Sequence, residues 1–313
     1  MEAGVSSGII SNFRGTKPIR MNRRTFVKNS SLAAASVSIF GAIHWNGRSF
    51  VGDNPTTTDI LGPFYRPGSP MRSNIVPSDT AGETMKVSGV VYQADGKKPL
   101  SNALLEVWQC DDKANYDNTS DEYRCRGALK TGADGKYMFT TVIPVPYKVG
   151  SEGHYRPAHI HMRVSSSDHQ DLITQVYFKG DPHLKDDPSS ASPLAVNRIL
   201  DITKNSSNEK SVKFDIVMSK EFPLDPSVYK KITGLYSIDG KKMLEFVNDG
   251  DLLFVKSDGL MVGALEYKGN NQFEEAGGYK IQFELLMAGG AKAKITDENG
   301  KVEEGVKFIK YPD

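Results

Sequence analysis

Between residues 86 and 218 the apolar positions come in short, β-prone runs with polar residues set between them. Runs at 87–92, 104–108, 137–142, 160–164, 172–178 and 212–218 each predict a strand, because strand side chains alternate faces and one face is buried. Asp95-Gly96 and Asp134-Gly135 stand between runs and predict tight turns. A helical period is scarce, and residues 193–200 predict one short helix. Many short strands joined by Asp-Gly turns predict an all-β fold, an antiparallel β-sandwich over residues 51–225. Residues 222–227 are rich in Pro and read as a linker. Beyond them the β pattern starts afresh at 243–247, 252–255, 260–267, 280–287 and 306–309, with turns at Asp239-Gly240, Asp249-Gly250, Asp258-Gly259 and Asn299-Gly300. This predicts a small second β domain over 226–313. It holds no histidine and no cysteine, so no metal chemistry is expected of it.

Charge changes the picture at the N-terminus. The net charge of +1 is the sum of two unlike parts. Residues 1–50 carry seven basic side chains and one acid, and the rest of the chain is net −5. A mildly acidic body excludes general attraction to nucleic acid or anionic membranes. The basic part reads as a leader over 1–50. Arg23-Arg24, Phe26 and Lys28 precede an apolar run too short and mild to span a bilayer as a mature helix. The arrangement resembles a twin-arginine export signal. It implies the twin-arginine export machinery as a partner and an exported, periplasmic location. The chain has two cysteines, Cys110 and Cys125. One disulfide and two buried thiols both remain open.

The histidines supply the candidate chemistry. Three of the six, His154, His159 and His161, fall within eight residues. On a strand, His159 and His161 share one face, while Ile160, Met162 and Val164 take the other. Two imidazoles so placed are able to hold one metal; an accidental pair on a solvated face is the plainer reading. Tyr116 and Tyr147 upstream would turn the pair into a mixed nitrogen and phenolate site. Phenolates are hard anionic donors, so such a site favours ferric over ferrous iron.

The surrounding stretches resemble the intradiol ring-cleavage dioxygenases, the family of catechol 1,2-dioxygenase and protocatechuate 3,4-dioxygenase. They are Thr58-Asp-Ile-Leu-Gly62-Pro63-Phe64-Tyr65-Arg66, Pro99 through Gln109, Tyr116, Gly132 through Phe139, Pro146-Tyr147, Arg156-Pro-Ala-His-Ile-His161, Thr174 through Pro182 and Phe214-Asp-Ile-Val217. They run in the family's order over residues 58–218. The resemblance implies non-haem Fe(III) with Tyr116, Tyr147, His159 and His161 as metal ligands. It implies Tyr147, Arg156 and Gln175 as catalytic residues. Tyr147 is the axial ligand that leaves when substrate binds and accepts a proton, and Arg156 stabilises the negative charge that develops. The reaction implied opens a catechol-type aromatic between its two hydroxyl-bearing carbons with O2, giving a cis,cis-muconate-type product. The expected partners are that small molecule and O2.

Departures from the family also bear on expectation. Catechol-type members carry a helical segment before the Gly-Pro-Phe-Tyr region. With the leader set aside, too few residues precede Gly62 for it, so the resemblance does not extend to that type of dimer. The residues after 225 lie outside the resemblance, and their start faintly resembles small β-barrel appendages on other exported enzymes. Arg66 and Arg72 are candidates to pair with a substrate carboxylate, against ordinary solvation at the surface. A reading of another class is a metal-free transthyretin-like binding module, which shares a stretch like 98–107. It has no need of Tyr116, Tyr147, His159 and His161 together.

Overall fold

A computed structural model describes residues 43–45, 50–52, 55–149, 154–220, 224–287 and 290–308. The leader motif, with Arg23, Arg24, Phe26 and Lys28, lies outside the described residues. Two compact units are distinguished, Met1–Asp53 and Asn54–Asp313. In the first, Ile43–Trp45 (β1) pairs antiparallel with Phe50–Gly52 (β2). Among the described residues no helix is long and apolar enough to cross a membrane.

The second unit begins with twelve strands. They are Thr84–Tyr92 (β3), Leu104–Trp108 (β4), Arg126–Lys130 (β5), Lys136–Val142 (β6), Tyr147–Val149 (β7), His154–Arg156 (β8), His159–Ser166 (β9), His169–Phe178 (β10), Ile199–Leu200 (β11), Thr203–Lys204 (β12), Lys210–Lys213 (β13) and Ile216–Val217 (β14). One sheet runs β11-β10-β9-β4-β5. The other runs β12-β13-β3-β14, with β6 paired to β3. The two pack face to face. Leu105, Val107, Ile160, Met162, Val164 and Val176 from the first sheet meet Met85, Val87, Val91, Phe139 and Val212 from the second, all buried. Each such side chain contributes roughly 1.5–3 kcal/mol by leaving water. Tyr137 closes the sandwich by donating its hydroxyl to the Phe214 carbonyl at 2.6 Å inside the core. Tyr137→Phe is expected to cost about 1 kcal/mol, because that carbonyl loses its partner in a dry place. Urea unfolding checks this, and an unchanged midpoint would speak against it.

The sandwich expected from the sequence is present, with differences of detail. β5 and the β7–β8 hairpin, absent from the sequence reading, complete the first sheet and the site. Three pairings are parallel: β10 with β11, and β3 with β13 and β14. The run at 212–218 is two strands because Asp215 turns its carboxylate to the Val90 N–H at 3.0 Å and breaks the ladder. Residues 193–200 form a 3-10 turn over Pro193–Arg198, capped by Ser192. The 222–227 stretch is not wholly linker. Asp225 accepts from the Ser227 N–H and starts a helix, Pro226–Ile232 (α1), with Pro at its first position.

Eight strands follow: Gly234–Ile238 (β15), Lys242–Asp249 (β16), Leu252–Ser257 (β17), Leu260–Gly269 (β18), Gln272–Glu274 (β19), Lys280–Leu285 (β20), Ala291–Thr296 (β21) and Val302–Lys307 (β22). They close into a barrel, with β22 pairing back onto β15. Closure leaves no free edge. Tyr236, Phe246, Phe273 and Phe283 fill the interior in edge-to-face contacts.

The barrel covers the outer face of the first sheet, so β9 is buried on both faces from His159 to Val164. Tyr65 makes the join. Its backbone bridges to Met261, and its ring stacks on Phe254 with centroids 5.6 Å apart and tilts on Trp108 at 4.9 Å. Leu61, Ile173, Leu252 and Ala264 complete this apolar cluster. Beside it Arg163 of β9 meets Asp171 at 2.7 Å, Asp249 of the barrel at 2.7 Å and Glu106 at 3.5 Å. Arg163 also donates to the Tyr65 hydroxyl at 3.0 Å, which in turn donates to Glu106 at 3.1 Å. Burial pushes the Asp171 carboxyl up to about 6, with Arg163 pulling the other way. Gly250 at the barrel tip has φ +60, and a Cβ there would fall 2.7 Å from the Asp171 carboxylate. Glycine meets both demands.

Candidate metal centre

The four donor residues expected from the sequence converge on the outer face of β9. The face assignment holds: Ile160, Met162 and Val164 enter the core, while His159 and His161 point away from it. Their Nε2 atoms lie 3.1 Å apart. His159 Nδ1 donates to the Pro157 carbonyl at 2.6 Å, which leaves its Nε2 lone pair facing the site. His161 Nδ1 is buried with no protein partner. Its ring is held instead by stacking on Trp108, centroids 5.0 Å apart and nearly parallel. Gly62, at φ +71, passes so close that a Cβ would sit 3.2 Å from His161 Cε1. Only a glycine both takes that turn and clears the ring.

Tyr116 arrives from the loop after β4. Asp111 shapes that loop by accepting from the Lys113 and Asn115 N–H groups, both at 2.9 Å. The Tyr116 hydroxyl stands 3.3 Å from His159 Nε2, and Phe64 stacks on its ring at 4.1 Å. Tyr147 comes from β7. It lies directly across the hairpin from Arg156 on β8, edge-on to Tyr116 with centroids 5.6 Å apart. Among the described residues no group of three or more His, Cys, Asp or Glu side chains is placed to hold a metal. A centre here depends on the two phenols.

Arg156 is anchored rather than free. Its guanidinium donates to Asp187 at 3.0 Å, to Gln175 Oε1 at 3.0 Å and to the Tyr177 hydroxyl at 3.2 Å. Gln175 is fixed in turn by donating to the Ile60 carbonyl at 2.7 Å. It stands opposite His161 in the β9–β10 register, and Tyr177 stands opposite His159. Tyr177 donates to Asp59 at 2.8 Å, and Asp59 pairs with Arg198. Asp187, Tyr177, Asp59, Phe64 and Trp108 were not singled out for the site from the sequence. Asp187-Pro188 carried a signal, since Asp before Pro marks a helix cap. Here Asp187 caps the short helix Pro188–Ala191 and pairs with Arg156 using the same carboxylate.

The electrostatics suit a cation. Burial pushes His159 down to about 3, with Arg156 adding to it, and pushes His161 well below its ordinary value, with His159 and Arg156 adding to it, so each imidazole is a neutral donor. Burial pushes the Tyr116 phenol well above its ordinary value, and the neighbouring Tyr147 adds to this. Tyr147 is also raised by burial, opposed by Arg156 and by a hydrogen bond from Tyr116. Burial works against the charge of Arg156, but Tyr177 and Asp187 outweigh it and hold its pKa up. Two neutral nitrogens and two phenols thus surround one point. Donor atoms 3.1–3.3 Å apart match neighbouring ligands on one ion, since two bonds of roughly 2.1 Å at about a right angle span that distance. Loss of both phenolic protons would supply two negative charges, which fits a hard trivalent ion such as ferric iron.

Other candidates resolve differently. Arg66 donates to the Ser120 carbonyl at 3.0 Å, and Arg72 donates to the Arg126 carbonyl at 2.9 Å. Both hold loops together and neither is placed to receive a substrate carboxylate. Cys110 and Cys125 are free, buried thiols, pushed by burial up to about 11 and about 12.

The profile of the dioxygenase family matches residues 60–220, a segment that contains all four donors and stops before the barrel. The chain is 33% identical over 177 residues to chlorocatechol 1,2-dioxygenase of Rhodococcus opacus, covering 48% of this chain and 68% of that protein. It is 38% identical over 154 residues to catechol 1,2-dioxygenase 2 of Acinetobacter lwoffii, covering 44% and 55%. The chain thus spans 55–68% of the length of these two relatives. Catechol 1,2-dioxygenase from Pseudomonas arvilla C-1 superposes with a TM-score of 0.50 at 23% identity, over 64% of this chain and 70% of that one, which shows a common fold. The chain belongs to the intradiol ring-cleavage dioxygenase family.

Proposed function

We propose that this protein opens the ring of a catechol-type aromatic between its two hydroxyl-bearing carbons, adding both atoms of O2 to give a cis,cis-muconate-type diacid. The observation that carries the reading is the meeting of His159, His161, Tyr116 and Tyr147 at one buried point. Those four residues would hold non-haem Fe(III). When bound, that ion would draw electron density from the catechol ring through its oxygens and so make the ring reactive toward O2. The balance closes without a further reductant, since both oxygen atoms end in the product.

The protein's own part is proton handling and charge. Tyr147 Oη lies within the field of Arg156 and shares a hydrogen bond with Tyr116, so it is placed to take a proton from an incoming catechol hydroxyl. Arg156 is held in place by Asp187 and Gln175 and meets the negative charge that develops on the ring oxygens. Gln175 acts through Arg156, as a positioning residue. Phe64, Tyr65 and Trp108 keep the face dry and strengthen each of these interactions.

Oxygen uptake over a panel of catechols tests the reading. Iron-loaded protein is expected to show a phenolate-to-iron absorption band, and Tyr116→Phe is expected to lose about half its intensity, since one of two phenolates goes. A protein that stays colourless after iron loading and consumes no O2 with any catechol would sink the proposal. The Arg23-Arg24 motif and its apolar run support export by the twin-arginine route to the periplasm. Replacing both arginines with lysine and fractionating the cells tests that; equal export of the variant would refute it.

A further inference from the structure

Next to the four donors the protein opens into a cleft of about 840 Å³. Its inner side is the sandwich, with Gly62, Pro63 and Arg156. Its outer side is the barrel, with Val262, Glu275, Tyr279 and Glu298. Clefts of roughly 300–1,000 Å³ hold drug-sized molecules, so this space exceeds the needs of a single six-membered ring. The barrel side is seated on the sandwich. The turn joining β19 to β20 is closed by the Glu275 N–H on the Tyr279 carbonyl at 2.8 Å and the Gly278 N–H on the Glu275 carbonyl at 3.0 Å. Gly277 within it lies against Ile60, where a Cβ would sit 3.3 Å from Ile60 Cγ2. Ile60 precedes Gly62, which touches His161.

The cleft has an apolar slope and an acidic rim. Val262 is 38% exposed and Tyr279 41% exposed, and both line the space. Glu275, Glu298 and Asp186 bring carboxylates to it. Arg156 is the only Lys or Arg side chain among the described lining residues, and Asp187 already neutralises it. Burial, reinforced by Glu298, pushes the Glu275 carboxyl up to about 7. A cation placed there would relieve that repulsion, and an anion would add to it.

We propose that the C-terminal barrel forms the outer wall of the substrate cleft and sets its specificity. Glu275 and Glu298 favour catechols with an extended neutral or amine-terminated substituent and reject those bearing a carboxylate. This rests on the ring-cleavage reading. The hydroxyl-bearing edge of the ring faces the four donors, the substituent runs along Val262 and Tyr279, and its far end reaches the acidic rim.

The test uses iron-loaded, full-length protein. Calorimetry without O2 gives the affinities of 3,4-dihydroxybenzoate and 3,4-dihydroxyphenethylamine, and O2 uptake gives their turnover. The amine probe is expected to bind at least about fivefold more tightly, as one favourable against one unfavourable half-exposed charge contact provides. Glu275→Gln, close to isosteric, is expected to shrink the preference through KM rather than kcat. Glu298→Lys, at an exposed position, is expected to erase or reverse it. Equal affinities in the wild type, a preference for the carboxylate probe, or a preference unmoved by both variants overturns the proposal. A preference in binding without turnover of any catechol supports the wall and overturns the ring-cleavage reading instead.

Discussion

His161→Ala is expected to abolish ring cleavage and lower iron affinity by more than roughly 100-fold, while the protein stays folded. The magnitude follows from the geometry. Changing a residue that merely orients a ligand costs about 10–100-fold in affinity, and this change removes a donor outright. The remaining donors do not close the gap, because His159 is tied to the Pro157 carbonyl and Tyr116 is clamped by Phe64. The fold is expected to survive because the core face of β9 is carried by Ile160, Met162 and Val164, which the change leaves alone. Three measurements are needed together: iron per chain, the visible absorption band, and the thermal unfolding midpoint. A variant that keeps a full equivalent of iron and wild-type oxygen uptake would remove His161 from the centre. Loss of iron together with collapse of the unfolding transition would show a structural role instead.

The largest effect on stability is expected from Arg163→Met, at about 3–5 kcal/mol. Methionine replaces the aliphatic stem but leaves Asp171 and Glu106 buried without their cation, and breaking one side of a buried pair costs that much. The barrel also loses its charged contact through Asp249. Adding Asp171→Asn to the variant is expected to recover part of the loss, since the second change removes the stranded carboxylate. Urea unfolding of the wild type, both single variants and the double variant gives the coupling. A loss below about 1 kcal/mol for Arg163→Met would mean that water reaches this cluster and that the apolar contacts alone hold the barrel in place.

The sandwich and the meeting of the four candidate side chains were legible because they rest on local rules. Alternation along 160–164 put His159 and His161 on one face, and the Arg-Pro-Ala-His-Ile-His run carried the family's order. What was hidden depends on distant partners. β5 begins at Arg126, whose charge speaks against a buried strand; its Nε donates to the Asp117 carbonyl at 2.7 Å and its Nη2 to Asn118, while Nη1 is buried without a partner. The burial of Arg163 on β9 rests on partners from other elements, Asp171 and Glu106 of the sandwich together with Asp249 and Phe254 of the barrel. The short β19, with one buried residue, Phe273, lacks the length for a periodic signal. The second β domain was visible from its turns. Its closure into a barrel had only the faint resemblance of its start to small β-barrel appendages behind it, because pairing of β22 with β15 joins the two ends of the segment and leaves no local mark.

The seam between barrel and sandwich also orders events in time. Arg163 and Asp249 are 86 residues apart, and Tyr65 finds Met261 and Phe254 from farther still. Contacts of such long range form late, because chain entropy must be spent before they reward it. On a ribosome, β9 and β10 emerge well before β16 to β18. The sandwich therefore passes through a stage in which one face is an open plate of aromatic rings around a guanidinium that still lacks its Asp249 partner. That stage, more than the finished molecule, is where self-association threatens during synthesis.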